Sequence, residues 1–173
     1  LAPAFVYGVR PPTRPHITAA VIAFVIGAIA FWQVSSQVPG GDEPHYLVIT
    51  QTLLKDADLR MENNHRTRQY DAYFAGDLPP DYRVRGRDGQ IYSIHAPGVS
   101  ALVAPAFAIA GYSGAVVFLL IVAALGSALM WHLAHVVTGH AGAAWFGWAA
   151  VTLSVTWVFH SFTVYPDGVG AVL

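Results

Sequence analysis

Cysteine is absent from all 173 residues, which removes disulfides, thiolate metal sites and cysteine nucleophiles together. Charge is nearly as scarce. Charged residues make up 11% of the chain, against roughly 25% in a typical soluble domain. From Gly89 to Leu173 there is one charged side chain, Asp167, and no Lys or Arg. A net charge of -1 offers no basic footprint for a phosphate backbone, so nucleic acid is not an expected partner. No glycine-rich phosphate loop, serine elbow or His-Glu-x-x-His zinc motif occurs, which excludes the commonest nucleotide, hydrolase and protease chemistries. Neither an internal repeat nor a low-complexity tract is present.

What the chain has in abundance is apolar sequence, at 55% of residues, and the composition reads as an all-α integral membrane protein. Residues 1–16 form a Pro-rich flank with Arg10 and Arg14, placed in the cytoplasm by the positive-inside rule. Residues 17–34 are an apolar run of about 18, enough with interfacial Trp32 to serve as a first transmembrane helix. Ser35, Ser36 and Gln37 make a poor small-residue cleavage site, which favours a retained helix over a signal peptide. Residues 35–97 then form a long exoplasmic loop that holds nearly all the charge: apart from Arg10 and Arg14, every Lys and Arg lies between Lys55 and Arg87, and every acid except Asp167 between Asp42 and Asp88.

Within that loop, Asp42 is placed to cap a helix with Glu43 and Pro44 in its first turn. Tyr46, Leu47, Ile49, Leu53 and Leu54 follow at near-helical spacing, which predicts a helix lying at the membrane surface. Arg83, Arg85 and Arg87 alternate with Val84 and Gly86 ahead of Asp88-Gly89, the pattern of a small hairpin. Residues 98–111 are short for a span and contain Pro105, which predicts a juxtamembrane or re-entrant helix. Residues 115–137 and 141–164 read as transmembrane helices two and three, and residues 165–173 as an exoplasmic loop and the start of a fourth. The last residues break off inside a fresh apolar run, the pattern of a piece of a longer polytopic protein. If the 98–111 run does not cross, Asp167 returns to the membrane face that carries Asp42.

The residues able to carry chemistry are few. Asp42 and Glu43 suit a general base for an acceptor hydroxyl, a cation site, or simply a capped helix start. Asp167, after Tyr165-Pro166, is an isolated acid in apolar sequence, and such acids mark functional sites or the cap of the next helix. Arg83, Arg85 and Arg87 match the geometry of an anionic partner such as a lipid-linked phosphate, or form a solvated edge near headgroups. His95, just before Pro97, stands where a protonatable donor meets a headgroup phosphate. His132, His135 and His160 belong to helix packing.

Taken in order, these pieces resemble the first third of a C-type glycosyltransferase, the polytopic family that includes protein O-mannosyltransferases and the aminoarabinose transferases of lipid A. The resemblance rests on Asp42-Glu43-Pro44-His45-Tyr46 after the first apolar helix, a following surface helix, His95-Ala96-Pro97-Gly98 leading into an apolar segment, and Tyr165-Pro166-Asp167 two helices later. The chain departs from the family pattern in having no Arg between Gly111 and Ala124 and a single proline at Pro97. The resemblance implies inverting transfer of a sugar from a polyprenyl-phosphate donor to a lipid, glycan or protein acceptor outside the cytoplasm, in the cell inner membrane and surrounded by its lipids. It implies Asp42 as the base, Glu43 and Asp167 completing the acidic cluster, and His95, one of the three arginines, His45 and Tyr46 as substrate contacts. No cofactor is required, although a divalent cation is compatible with the acids, and the segment by itself is expected to be inactive. Two other classes compete: a transporter or channel subunit with Asp167 as ion or proton site, and a membrane scaffold without chemistry.

Overall fold

A computed structural model of the protein describes residues 14–173. Most of the basic N-terminal flank, Arg10 included, lies outside the described residues. The described chain is all-helical: α1 (Pro15–Val34), α2 (Glu43–Lys55), α3 (Glu62–Arg66), a 3-10 turn (Gln69–Ala72), α4 (Gly98–Thr138), α5 (Ala141–Thr152), α6 (Val155–His160) and α7 (Pro166–Gly170). Two of these, α1 and α4, are long and apolar enough to cross a membrane.

Both long helices turn large apolar residues outward, and α1 faces the interior with small ones. α1 buries Ala19, Ala23 and Gly27, a stripe at four-residue spacing, while Val21, Val25, Ile29 and Trp32 point outward. α4 likewise exposes Leu125, Leu129, Leu133 and Val136. Small residues let helix axes approach closely where lipid supplies no hydrophobic drive between helices. At Gly27 a Cβ would stand 2.6 Å from Leu120 Cδ2 and 2.8 Å from Ser161 Oγ, so no side chain fits there without displacement. Polar side chains join the helices as well. Ser127 of α4 accepts the Trp148 indole N–H of α5 and lies 3.3 Å from the Thr152 hydroxyl.

A straight helix of 41 residues would be about 60 Å long, twice the ~30 Å hydrocarbon core. α4 avoids this by breaking at Ala110 (φ -140°) and Gly111 (φ 60°, ψ -144°), the left-handed value being one that glycine adopts readily. The arms before and after the break fold sharply together: a Cβ on Gly114 would lie 2.1 Å from the Ala106 carbonyl oxygen. The short arm, its break and the following long arm lie where the Pro105 run and the Gly111–Gly114 turn predict them.

Three expectations are corrected. The third span over 141–164 is not one helix. Ser154 leaves helical geometry (ψ 146°) and its hydroxyl accepts the Trp157 N–H at 3.2 Å, capping α6 and separating it from α5. Serine and threonine hydroxyls compete with helix bonding in this way. The 83–93 hairpin does not form, and there is no strand among the described residues. The Asp88-Gly89 turn closes, with the Gly86 N–H on the Gln90 carbonyl at 2.8 Å and Gly89 at φ 78°. Its flanks, however, bond elsewhere: the Ile91 carbonyl accepts from Met61 N–H and the Ile94 N–H donates to the Asp81 carbonyl. Finally, α2 is covered on more than the one apolar face that its spacing suggests. Its residues from Tyr46 to Thr52 are all buried, and Gln51 donates to the Gln69 carbonyl and accepts from the Tyr73 hydroxyl.

The elbow yields a direct test. Gly114→Val should lower stability by about 1–3 kcal/mol through overpacking, whereas Gly98→Val, with open space around its Cβ position, should change it little. Thermal unfolding of the detergent-solubilised protein measures both, and equal effects would contradict the sharp reversal at Gly111.

Candidate functional site

The site is built where the chain leaving α1 meets the chain entering α7. Glu43, at the first position of α2, is 1% exposed. One carboxylate oxygen accepts the Val164 N–H at 2.7 Å and the other the Gly40 N–H at 3.2 Å. Burial pushes this carboxyl above the usual carboxylate range, and the two N–H bonds pull it back only in part. Tyr165 adds a second clasp: its hydroxyl accepts the Asp42 N–H at 3.0 Å and donates to the Gly40 carbonyl at 3.2 Å. The close approach requires glycine at Gly41, which has φ 58° and would place a Cβ 2.5 Å from that hydroxyl oxygen.

Asp42 therefore occupies the N-cap position without capping, since its side chain makes no cap hydrogen bond and is exposed. Its backbone is held by Tyr165 while its carboxylate faces solvent. Asp167, in the first turn of α7, is exposed as well. Both acids lie within electrostatic reach of one group. The Tyr46 phenol is held above its ordinary range first by burial and then by the charges of Asp42 and Asp167. Tyr46 also lies edge-on to Tyr165, with ring centroids 6.2 Å apart. The backbone behind it is fixed: the Tyr46 carbonyl accepts from the Ser100 hydroxyl at 2.8 Å and from the Thr50 hydroxyl at 3.0 Å, tying α2 to the short arm of α4.

The predicted phosphate contacts are spread more widely. The His95 side chain is only 10% exposed and pairs through Nε2 with Asp81 at 3.2 Å. It stacks on His45 (5.6 Å) and packs against Tyr46 (4.7 Å), so it adjoins the acids as part of the wall behind them. Arg85 forms a two-pronged bond to Glu62, at 2.7 and 3.1 Å, and a third to the Gly89 carbonyl. Arg83 and Arg87 are exposed and carry no ion pair among the described residues. The arginines thus do not act as a trio. Among the described residues no three His, Asp or Glu side chains are grouped to hold a metal ion.

Tyr165, His65 and Asp81 belong to the site or its wall and have no local signature. Tyr165 stands two residues before Asp167, in the Tyr-Pro-Asp stretch already marked. Asp81 follows Pro79-Pro80 in a loop with no periodicity. Asp167 and His160 also line a cavity of about 270 Å3, with Ser154, Ser161, Trp157 and Ala123 around it.

Glu43→Ala orphans two N–H groups and should cost about 1–3 kcal/mol for each, while Glu43→Gln keeps a carbonyl acceptor and should cost less. Because the folded carboxyl is raised, its contribution is fully present below the ordinary carboxylate pKa and is lost as pH rises through the folded value. Unfolding measured between pH 4 and 8 should show that slope diminished in Glu43→Gln. Compared with family models, curated proteins and solved structures, the chain matches none.

Proposed function

We propose that this chain is the N-terminal part of a membrane glycosyltransferase of the C type, which moves a sugar from a polyprenyl-phosphate donor to an exoplasmic hydroxyl on a lipid, glycan or protein. In this reading α1 crosses with its N-terminus in the cytoplasm, the long arm of α4 and the broken α5–α6 pair form the second and third crossings, and α7 begins a fourth. The acids then share one exoplasmic face.

The observation that carries the reading is the clasp between the two acid-bearing segments: Glu43 accepts the Val164 N–H and the Tyr165 hydroxyl accepts the Asp42 N–H, which holds exposed Asp42 beside the Tyr165-Pro166-Asp167 stretch. An acceptor hydroxyl is a weak nucleophile, and an exposed, backbone-fixed carboxylate can take its proton as the bond to the anomeric carbon forms. The bond from that carbon to the phosphate oxygen breaks on the opposite face, inverting the centre. The proton goes to Asp42 and the electron pair to the departing polyprenyl phosphate. Glu43 positions Asp42 through the Gly40–Asp42 turn, and Asp167 orients the acceptor. Of the three arginines, exposed Arg83 and Arg87 carry no ion pair among the described residues and are free to meet the phosphate, and His95 with His45 backs the pocket.

A second reading follows from the cavity beside Asp167. Its mixture of Ser154, Ser161 and His160 with an uncompensated carboxylate also suits an ion or proton site of a transport protein. Flux in proteoliposomes without sugar transfer would select that reading.

Asp42→Asn in the full-length protein should reduce glycan transfer about 10²–10⁴-fold, the usual contribution of a general base, with normal insertion and protein level. Transfer in membranes supplied with a polyprenyl-phosphate sugar is the measurement. An Asp42→Asn protein as active as the native one would remove Asp42 as the base.

A further inference from the structure

Behind the acids lies a group that takes no proton in the proposed chemistry. Three histidines from three separate segments meet there: His45 in the first turn of α2, His65 on α3 and His95 ahead of α4. His45 and His95 are stacked with centroids 5.6 Å apart, and His45 and His65 are 6.4 Å apart. His65 Nδ1 lies 2.9 Å from the Leu78 carbonyl, which accepts only from an N–H and so fixes the tautomer with the proton on Nδ1. That leaves His65 Nε2 as an acceptor, buried and without a partner, and His45 Nδ1 is buried and without a partner too.

The groups facing the trio are few. Asp81 pairs with His95, and Asp42 lies within electrostatic reach of His45. Tyr70 packs against His65 and Tyr46 against His95. Protonating two of the rings places like charges about 6 Å apart in a half-buried site, where they repel strongly.

We propose that the His45–His65–His95 cluster is an acid-sensitive latch that holds the 59–97 loop against α2 when neutral and releases it when doubly protonated. The latch bears on the acids because His45 and Tyr46 share the first turn of α2 with Glu43, and His95 packs on both. A cavity of about 80 Å3 bordered by Met61, Ser93, His95 and Pro97 gives water a place beside the ring. The inference concerns the loop's attachment and does not depend on sugar transfer.

Burial lowers His45 and His65 below the usual histidine value, with Asp81 and the Leu78 carbonyl opposing it respectively. A histidine lowered in the folded state contributes stability that is fully present above its unfolded value of about 6.5 and is lost as pH falls from there through the lower folded value. Glu43 has the opposite slope, so the two are separated by difference.

The experiment compares the detergent-solubilised chain with a His45→Gln/His65→Gln variant between pH 7.5 and 5.0. Unfolding temperature and amide deuterium uptake over residues 59–97 are the two readouts. The native chain should lose at least about 4 °C, a fall that corresponds to a kcal/mol or more at this size, and its loop should exchange faster. The variant should lose less than half as much. A native chain with unchanged loop exchange across this range, or a variant with an equal pH response, overturns the latch. Should the variant not fold, histidine NMR of the native chain decides. Titration of both rings below 6.5 together with loop opening supports the latch, and titration of either at or above 6.5 overturns it.

Discussion

Burying a polar group without a partner is costly, and that constraint organises most of the contacts between the segments of this chain. It governs the helix contacts, where the Ser100 and Thr50 hydroxyls meet the Tyr46 carbonyl and Ser127 meets Trp148. It governs the site most of all. An ionised or protonated Glu43 at 1% exposure is tolerable only because two backbone N–H groups converge on it, as buried charges require. The loop before α2 and the segment before α7 are held together by that single side chain and by the Tyr165 hydroxyl beside it.

Adjacent acids consequently differ in kind. Glu43 points inward and is saturated by backbone donors, so it serves as a brace. Asp42 points outward with its side chain uncommitted and its N–H anchored. One residue's difference in helix position separates a carboxylate fit for holding structure from one fit for taking a proton. The histidines extend the same logic: burial favours the neutral form of His45 and His65, which fill the space behind the acids.

The two long apolar helices, the break near Gly111 and the turn at Asp88-Gly89 were legible in the sequence, because each depends on local composition or on glycine conformation. Asp42, Glu43 and Asp167 are conspicuous in the sequence as acids beside apolar runs, and the structure ties together the segments that carry them. The division of labour between the first two was not legible, because spacing does not reveal which way a helix's first turn faces. The interruption at Ser154 was hidden by hydropathy, which reads Val151 to Val158 as continuous and ignores a hydroxyl's bonding choices. Asp81 and His65 were missed because their partners lie far along the chain and neither belongs to a periodic pattern. The alternating arginines were misread as a strand because alternation alone does not supply a pairing partner, and here Met61 and Asp81 took the bonds.

The brace between Glu43 and Val164 joins residues 121 apart in the chain. At the usual ~5–20 residues per second of synthesis, the glutamate emerges about 6–24 seconds before its backbone partner exists. During that interval it lacks its partner, and its burial waits on delivery of the later helices. The clasp between the two segments is therefore completed last. Any slowing of the segment from α4 to α6 prolongs a state in which α2 has lost part of its covering and its apolar residues are open to other proteins.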